Sequence, residues 1–209
     1  MTGVQTCALP IFISGEEEAT LDFIGASHNL DINQGVLIDI GGGSTELVSF
    51  KDMKMETAAS ISIGSLNLYL KHVDALLPTS KERKRIEKTV LKEFAGIKNL
   101  KGVTAERICG IGGTIRGTLK LCNDIFNLSD SNKIIEVNQL DIVLDMLRNA
   151  DKTTIRRIIQ AVPERIHTII PGMIELAALA KILESKQIIV SKYGVREGYL
   201  YKYVLKEVI

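Results

Sequence analysis

Twice in this chain a short apolar run ends in a cluster of glycines. Val36-Leu37-Ile38-Asp39-Ile40 leads into Gly41-Gly42-Gly43, and Arg107-Ile108-Cys109-Gly110-Ile111 leads into Gly112-Gly113-Thr114. A continuous apolar run closed by a tight turn is the pattern of a strand covered on both faces. A sheet with one wetted face would alternate instead. The chain is therefore restricted to α/β architectures in which helices shield a central sheet.

The remaining segments fit that frame. Ser14-Gly15-Glu16-Glu17 predicts a capping box and a helix from Gly15 to Ala26, with His28 to Gly35 as a loop. Gly35 to Ile40, Glu46 to Phe50 and Met53 to Ile63 read as three successive strands, with a turn at Lys51-Asp52. A short helix at Leu66 to Lys71 and a second capping box at Pro78 to Glu82 follow, ahead of Ile86, Val90, Leu91 and Phe94 at helical spacing. Arg107 to Ile111 is a strand and Ile115 to Cys122 a helix; Asn138 is expected to cap a helix carrying Leu140, Val143, Leu144 and Leu147. Thr153 to Ala161 continues the helical region, and Ile169 to Leu183 is a long apolar helix starting around Pro171. A strand at Gln187 to Ser191 and a helix at Val195 to Val208 complete the order βββαβαβα. This predicts a mixed five-stranded α/β sheet with helices on both faces.

Composition removes several function classes. Lys plus Arg total 26 and Asp plus Glu 25, so a net charge of +1 provides no whole-molecule field for nucleic acid or an anionic membrane. No apolar run approaches the roughly 20 residues of a membrane span. Cys7, Cys109 and Cys122 show no CxxC spacing, and His28, His72 and His167 no HExxH spacing. Reduced thiols, a cytoplasmic location and no histidine-bound metal are the expectation. Residues 1–12 read as a non-native segment and stay outside the fold argument.

Chemistry concentrates at the glycine turns. Gly41, Gly42 and Gly43 let backbone amides approach a phosphate, and Ser44 and Thr45 add hydroxyl donors. Asp39 and Glu46 flank that turn with the hard oxygens Mg²⁺ takes beside water and phosphate. Gly112, Gly113 and Thr114 open a helix whose positive end suits a second phosphate group. Arg196, in Ser191-Lys192-Tyr193-Gly194-Val195-Arg196, offers a bidentate phosphate contact. Each has a plainer reading: a hairpin turn, a close strand-to-helix crossing, a charged helix start. The basic runs Lys81 to Lys88 and Arg156-Arg157 read as solvated helix faces.

Four stretches together resemble the Ppx/GppA family of exopolyphosphatases and guanosine pentaphosphate phosphohydrolases. They are ISGEEEA at Ile13 to Ala19, VLIDIGGGSTELV at Val36 to Val48, GIGGT at Gly110 to Thr114, and SKYGVREGYL at Ser191 to Leu200. They stand in the family's order and spacing, and the resemblance covers Ile13 to Ile209. It implies an actin-like, ribonuclease H-like lobe, with which the βββαβαβα order agrees. It places the family's catalytic glutamate on Glu18 as general base for water, a residue that otherwise reads as helix-dipole charge. It puts Asp39 and Glu46 at Mg²⁺, and inorganic polyphosphate or guanosine pentaphosphate at the glycine turns. It divides the chain into an interlobe helix and loop at 13–34 and a second lobe at 35–209. The family's first lobe, with its DLGSNS-type loop, has no counterpart here, so weak or absent activity of the isolated chain is expected. The resemblance also allows a homodimer. An ATP-using kinase or ATPase lobe and a nonenzymatic polyphosphate-binding module are the other readings of the same residues.

Overall fold

The computed structural model describes residues 13–28, 32–149 and 151–206. Cys7 and the segment 1–12 lie outside the described residues. Six strands, β1 (Gln34–Ile40), β2 (Thr45–Lys51), β3 (Lys54–Ile61), β4 (Arg107–Ile111), β5 (Ile134–Glu136) and β6 (Gln187–Val190), form one sheet in the order β3-β2-β1-β4-β6-β5. β1, β4 and β6 run parallel, and β2, β3 and β5 pair antiparallel at the two sides. The expected sheet of five strands thus has a sixth. β5 spans three residues, of which only Ile135 is buried, too few to leave an alternation in the sequence.

Side chains leaving β1 alternate between two cores, as the pleat requires. Val36, Ile38 and Ile40 join the larger one, built with α2 (Ser65–His72), α3 (Ser80–Ala95), α4 (Gly112–Phe126), α5 (Val137–Met146), α6 (Lys152–Ala161) and α7 (Ile169–Ile182). Leu37 joins Val48, Phe50, Cys109 and Ile111 against Ala19, Phe23 and Ala26 of α1 (Gly15–Ser27). Burial on both faces explains the unbroken apolar run of β1. Cys109 and Cys122 are core residues whose thiols burial pushes up to about 12, so they serve packing.

Several helix starts differ from the expectation. Ser14 Oγ accepts from Glu17 N at 3.2 Å, but the reciprocal half of the box is missing because the Glu17 carboxylate is taken by Tyr203 Oη and Lys202. The box at Thr79 and Glu82 forms in full. Asn138 does not cap α5, which already begins at Val137 behind β5. Asp151 caps α6 as a separate helix, accepting from Thr154 N at 2.7 Å. Arg83, inside the basic run of α3, is not a solvated charge: its guanidinium donates to the backbone oxygens of Pro78, Leu144 and Leu147, joining α3 to the end of α5.

The C-terminal helix is α8 (Val195–Tyr199), five α-helical residues that widen into a π-helix over Leu200–Leu205; expected positions 207 and 208 lie outside the described residues. It crosses α1 at backbone contact. A methyl group on Gly198 would overlap the carbonyl oxygen of Leu21, and one on Gly25 that of Gly194. No residue larger than glycine fits this crossing, and the crossing presses α1 onto β1 and β2. Gly198→Ala is therefore expected to destabilise the fold by about 1–3 kcal/mol through overpacking. Urea unfolding followed by circular dichroism checks this, and an unchanged midpoint would refute the contact.

Candidate active site

The β1–β2 turn is held by what its carbonyl groups do. Gly41 O accepts from Ser65 N and Gly42 O from Leu66 N and Asn67 N, each at 3.0 Å, while Gly43 O accepts from Asn67 Nδ2 at 2.8 Å. These are the first N–H groups of α2, which would otherwise lack intrahelical partners. The turn thereby caps a helix with its oxygens. Among the described residues, the N–H groups of Gly42, Gly43 and Ser44 make no hydrogen bond. Successive free amides without Cβ obstruction form a concavity that attracts an anion.

The second turn is tied to the first through Ser65. Its Oγ donates to Gly41 O at 3.1 Å and receives Thr114 Oγ1 at 3.3 Å. Gly112 starts α4 at φ +88°, a left-handed conformation suited to glycine, and a Cβ there would overlap Asp39 Oδ1. The Asp39 carboxylate therefore lies against the positive end of α4. Over the next residue, a Cβ on Gly113 would meet the Arg165 guanidinium. A cavity of about 240 Å³ opens beside these groups, lined by Asp39, Gly112, Arg116, Lys192, Arg196 and Glu197 among others.

The acids gather from two layers. Asp39 and Glu46 face each other directly in the β1–β2 register, on the sheet face covered by α1. One turn apart on α1, Glu18 is half-buried and Asp22 fully buried. Burial holds the Asp22 and Asp39 carboxyls well above their ordinary range, and each is raised further by neighbouring carboxylates, Asp39 by Glu18 and Asp22 by Asp39, Glu18 and Glu46. The Val195 amide and Arg116 act in the opposite direction on Asp22 and Asp39 respectively. Among the described residues, neither Asp22 oxygen has a partner in hydrogen-bond geometry. Glu46 is raised to about 7, by burial first, against hydrogen bonds from Ser60 (2.8 Å) and Ser44 and with Glu18 and Asp39 adding to the rise.

Among the described residues, no group of three His, Cys, Asp or Glu stands close enough to cage a metal. Two facing carboxylates beside an unpartnered buried one nevertheless fit Mg²⁺, which takes one or two protein oxygens and completes its shell with water and phosphate.

Glu18, Asp39, Glu46, Gly41, Gly42, Gly43, Ser44, Gly112, Gly113 and Arg196 thus gather at the carboxyl ends of β1 and β4, where open α/β sheets take ligands. One expected donor does not. Thr45 is buried on the other sheet face, its hydroxyl donating to Glu175 Oε1 at 2.7 Å and so spent in packing. Thr114 stands in the first turn of α4 as expected, with its hydroxyl donating to Ser65 Oγ at 3.3 Å. Sequence reading passed over Ser65, Arg116, Arg165 and Lys192. Arg116 and Lys192 each stand within three residues of a glycine turn, a usable signal; Ser65 and Arg165 arrive from distant segments and left none. A further cavity of about 540 Å³, lined by Gln34, Gly35, Lys51 and Arg107 among others, lies at the opposite end of the strands from the acids.

Comparison with known proteins adds an independent line. A family model described as the Ppx/GppA phosphatase family matches residues 5–207. A Haemophilus influenzae protein provisionally named an exopolyphosphatase is 26% identical over 90% of this chain and 58% of its own length. The crystal structure of the Aquifex aeolicus member of the Ppx/GppA family is 27% identical, with a TM-score of 0.79 over 94% of this chain and 65% of that one. An exopolyphosphatase structure from Cytophaga hutchinsonii, 18% identical, shares the fold with a TM-score of 0.79 over 93% of this chain and 65% of that one. The chain spans less than two thirds of each of these relatives.

Two measurements test the framework around the turns. Ser65→Ala leaves the Thr114 hydroxyl unpaired and frees Gly41 O from one bond, so a loss of about 1–2 kcal/mol is expected in urea unfolding. No loss would mean the two turns are held independently. Glu175 is buried with Oε2 unpartnered and its carboxyl is raised from 4.5 to about 8, by burial first. Between those values the unfolded chain releases this proton while the folded chain keeps it, so stability from this group falls as pH rises from 4.5 to 8 and is constant beyond. Glu175→Gln should therefore gain more in melting temperature over wild type at pH 8 than at pH 5. A difference that does not change with pH would contradict the buried neutral acid.

Proposed function

The chain belongs to the Ppx/GppA phosphatase family, and on that premise we propose that it supplies one wall of a site hydrolysing terminal phosphoanhydride bonds. The substrates are inorganic polyphosphate, guanosine pentaphosphate or both. The observation that carries this reading is the turn whose carbonyls are spent on α2 while the Gly42, Gly43 and Ser44 amides stay free, at the strand ends where Asp39 and Glu46 stand.

The amides hold the non-bridging oxygens of the terminal phosphoryl group, and Arg196, Arg116 and Arg165 add charge-assisted donors around it. Glu18, half-buried and close enough to raise Asp39, Asp22 and Glu46, stands at the edge of this cluster. It orients a water for in-line attack on the terminal phosphorus and accepts its proton. The new P–O bond forms as the bridging P–O bond breaks, and the shortened chain leaves with the electron pair. Asp39 and Glu46 are the residues that would hold Mg²⁺. When bound, the ion neutralises charge on the phosphate oxygens. Because in-line attack needs donors on both sides of the phosphoryl group, we expect the isolated chain to bind phosphate chains and turn them over slowly.

Phosphate release from polyphosphate with Mg²⁺ tests this, using the chain alone and the chain with a first actin-like lobe supplied. Glu18→Gln should lower the rate of the complemented reaction by about 10²–10⁴-fold and leave affinity for polyphosphate intact. Unchanged turnover would remove Glu18 from the mechanism. Binding that is never accompanied by turnover would make the chain a binding module.

A further inference from the structure

Two residues of α7, Gly172 and Glu175, stand three positions apart and so share a face of the helix. A Cβ on Gly172 would overlap Thr114 Cγ2 and press on Ser65 Cβ, so α7 runs at backbone contact with the pair that ties the two glycine turns together. Glu175 reaches the first turn from the same helix. Its Oε1 accepts from Thr45 Oγ1 at 2.7 Å, and both residues are fully buried. Thr45 opens β2, paired with Ile40 of β1 and Ile61 of β3. In the chain it separates Ser44, which carries one of the free amides, from Glu46, one of the site carboxyls. Among the described residues, Glu175 Oε2 has no hydrogen-bond partner.

Such a pair is a costly way to fill a core. The threonine and the carboxyl give up their hydration for one hydrogen bond and leave a second oxygen unpaired, whereas two apolar side chains of similar shape would be neutral or more stable there. What apolar packing does not supply is direction. Successive side chains of a strand leave by opposite faces, so a hydrogen bond that fixes Thr45 toward α7 also fixes Glu46 toward α1 and sets where the Ser44 peptide leaves the turn. We infer that Glu175 is a positioning residue of the phosphate site: acting through Thr45, it holds the Ser44 amide and the Glu46 carboxyl in the relation that a bound phosphoryl group needs. The inference rests on the proposed function and deepens it, because it adds to that site a group that never touches the ligand.

The test is binding of tripolyphosphate to the full chain, followed by isothermal titration and by the shifts of the Gly42, Gly43 and Ser44 amides in two-dimensional NMR. Three proteins are compared: the wild type, Glu175→Gln, and the double variant Thr45→Val/Glu175→Leu. Glutamine keeps an acceptor oxygen for the Thr45 hydroxyl, while the double variant removes both polar partners and keeps much of their shape. The double variant is expected to melt at or above the wild-type temperature and yet to bind tripolyphosphate about tenfold or more weakly, because small misplacements at such a site are costly. Its Ser44 amide should lose the shift that the ligand produces in the wild type. Glu175→Gln should restore both affinity and shift. A double variant that binds as tightly as the wild type would reduce the pair to packing and overturn the inference, leaving the proposed function standing. An affinity loss matched by a fall in melting temperature would mark a fold defect and overturn it as well. So would an equal loss in Glu175→Gln, since the hydrogen bond to Thr45 would then not be what matters. Wild type that binds no tripolyphosphate would take the proposed function down together with the inference.

Discussion

The three hydrogen bonds that the Gly41 and Gly42 carbonyls accept from the start of α2 set the character of everything around them. A peptide unit has two polar ends, and fixing one fixes the direction of the other. With the oxygens turned toward α2, the amides of the same turn face away from it and remain free. Ser65 extends the constraint across the sheet by touching Gly41 and Thr114 with one hydroxyl, so the turn after β1 and the turn after β4 are held in fixed relation. The partial positive charge of such free amides is built from ordered backbone and needs no lysine in the loop.

Around this turn, carboxyl groups gather from β1, β2 and the covering helix α1. Asp39 and Glu46 stand directly across from each other, an arrangement that is unfavourable between ionised carboxylates. Glu18 and Asp22 are then added from the covering helix; Glu18 makes Asp22, Asp39 and Glu46 harder to ionise, and Asp39 and Glu46 do the same to Asp22. Packing provides the compensation: Phe23 against Phe50, with ring centroids 5.4 Å apart, and the glycine crossing of α1 with α8.

Much of this was legible in the sequence, because the strongest signals come from short-range constraints. The apolar runs and glycines located β1, β4 and both turns to within a residue or two, and the Thr79 box marked the start of α3. What was not legible depends on partners far away in the chain. Thr45 reads as a phosphate ligand until the position of Glu175, 130 residues later, is known. Glu17 reads as half of a capping box until Tyr203 claims it. Arg83 sits in a run that looks solvated, and its role depends on backbone oxygens of α5. β5 escaped notice for another reason: three residues at a sheet edge bury one side chain, and no periodicity survives at that length.

The seating of α1 has a consequence for the order in which the molecule can be made. Gly25 and Leu21 rest on Gly194 and Gly198, and Glu17 is held by Tyr203 and Lys202. A helix from the beginning of the chain is thus completed by a helix from its end. On a ribosome the two are separated by on the order of ten to thirty seconds of elongation. During that interval the glycine turns can form, since β1, β2, α2, β4 and α4 all precede α8. The helix bearing Glu18 must wait beside them without its clamp. The turn that caps α2 is thus synthesised in full well before the crossing that seats Glu18 and Asp22 of α1 can close.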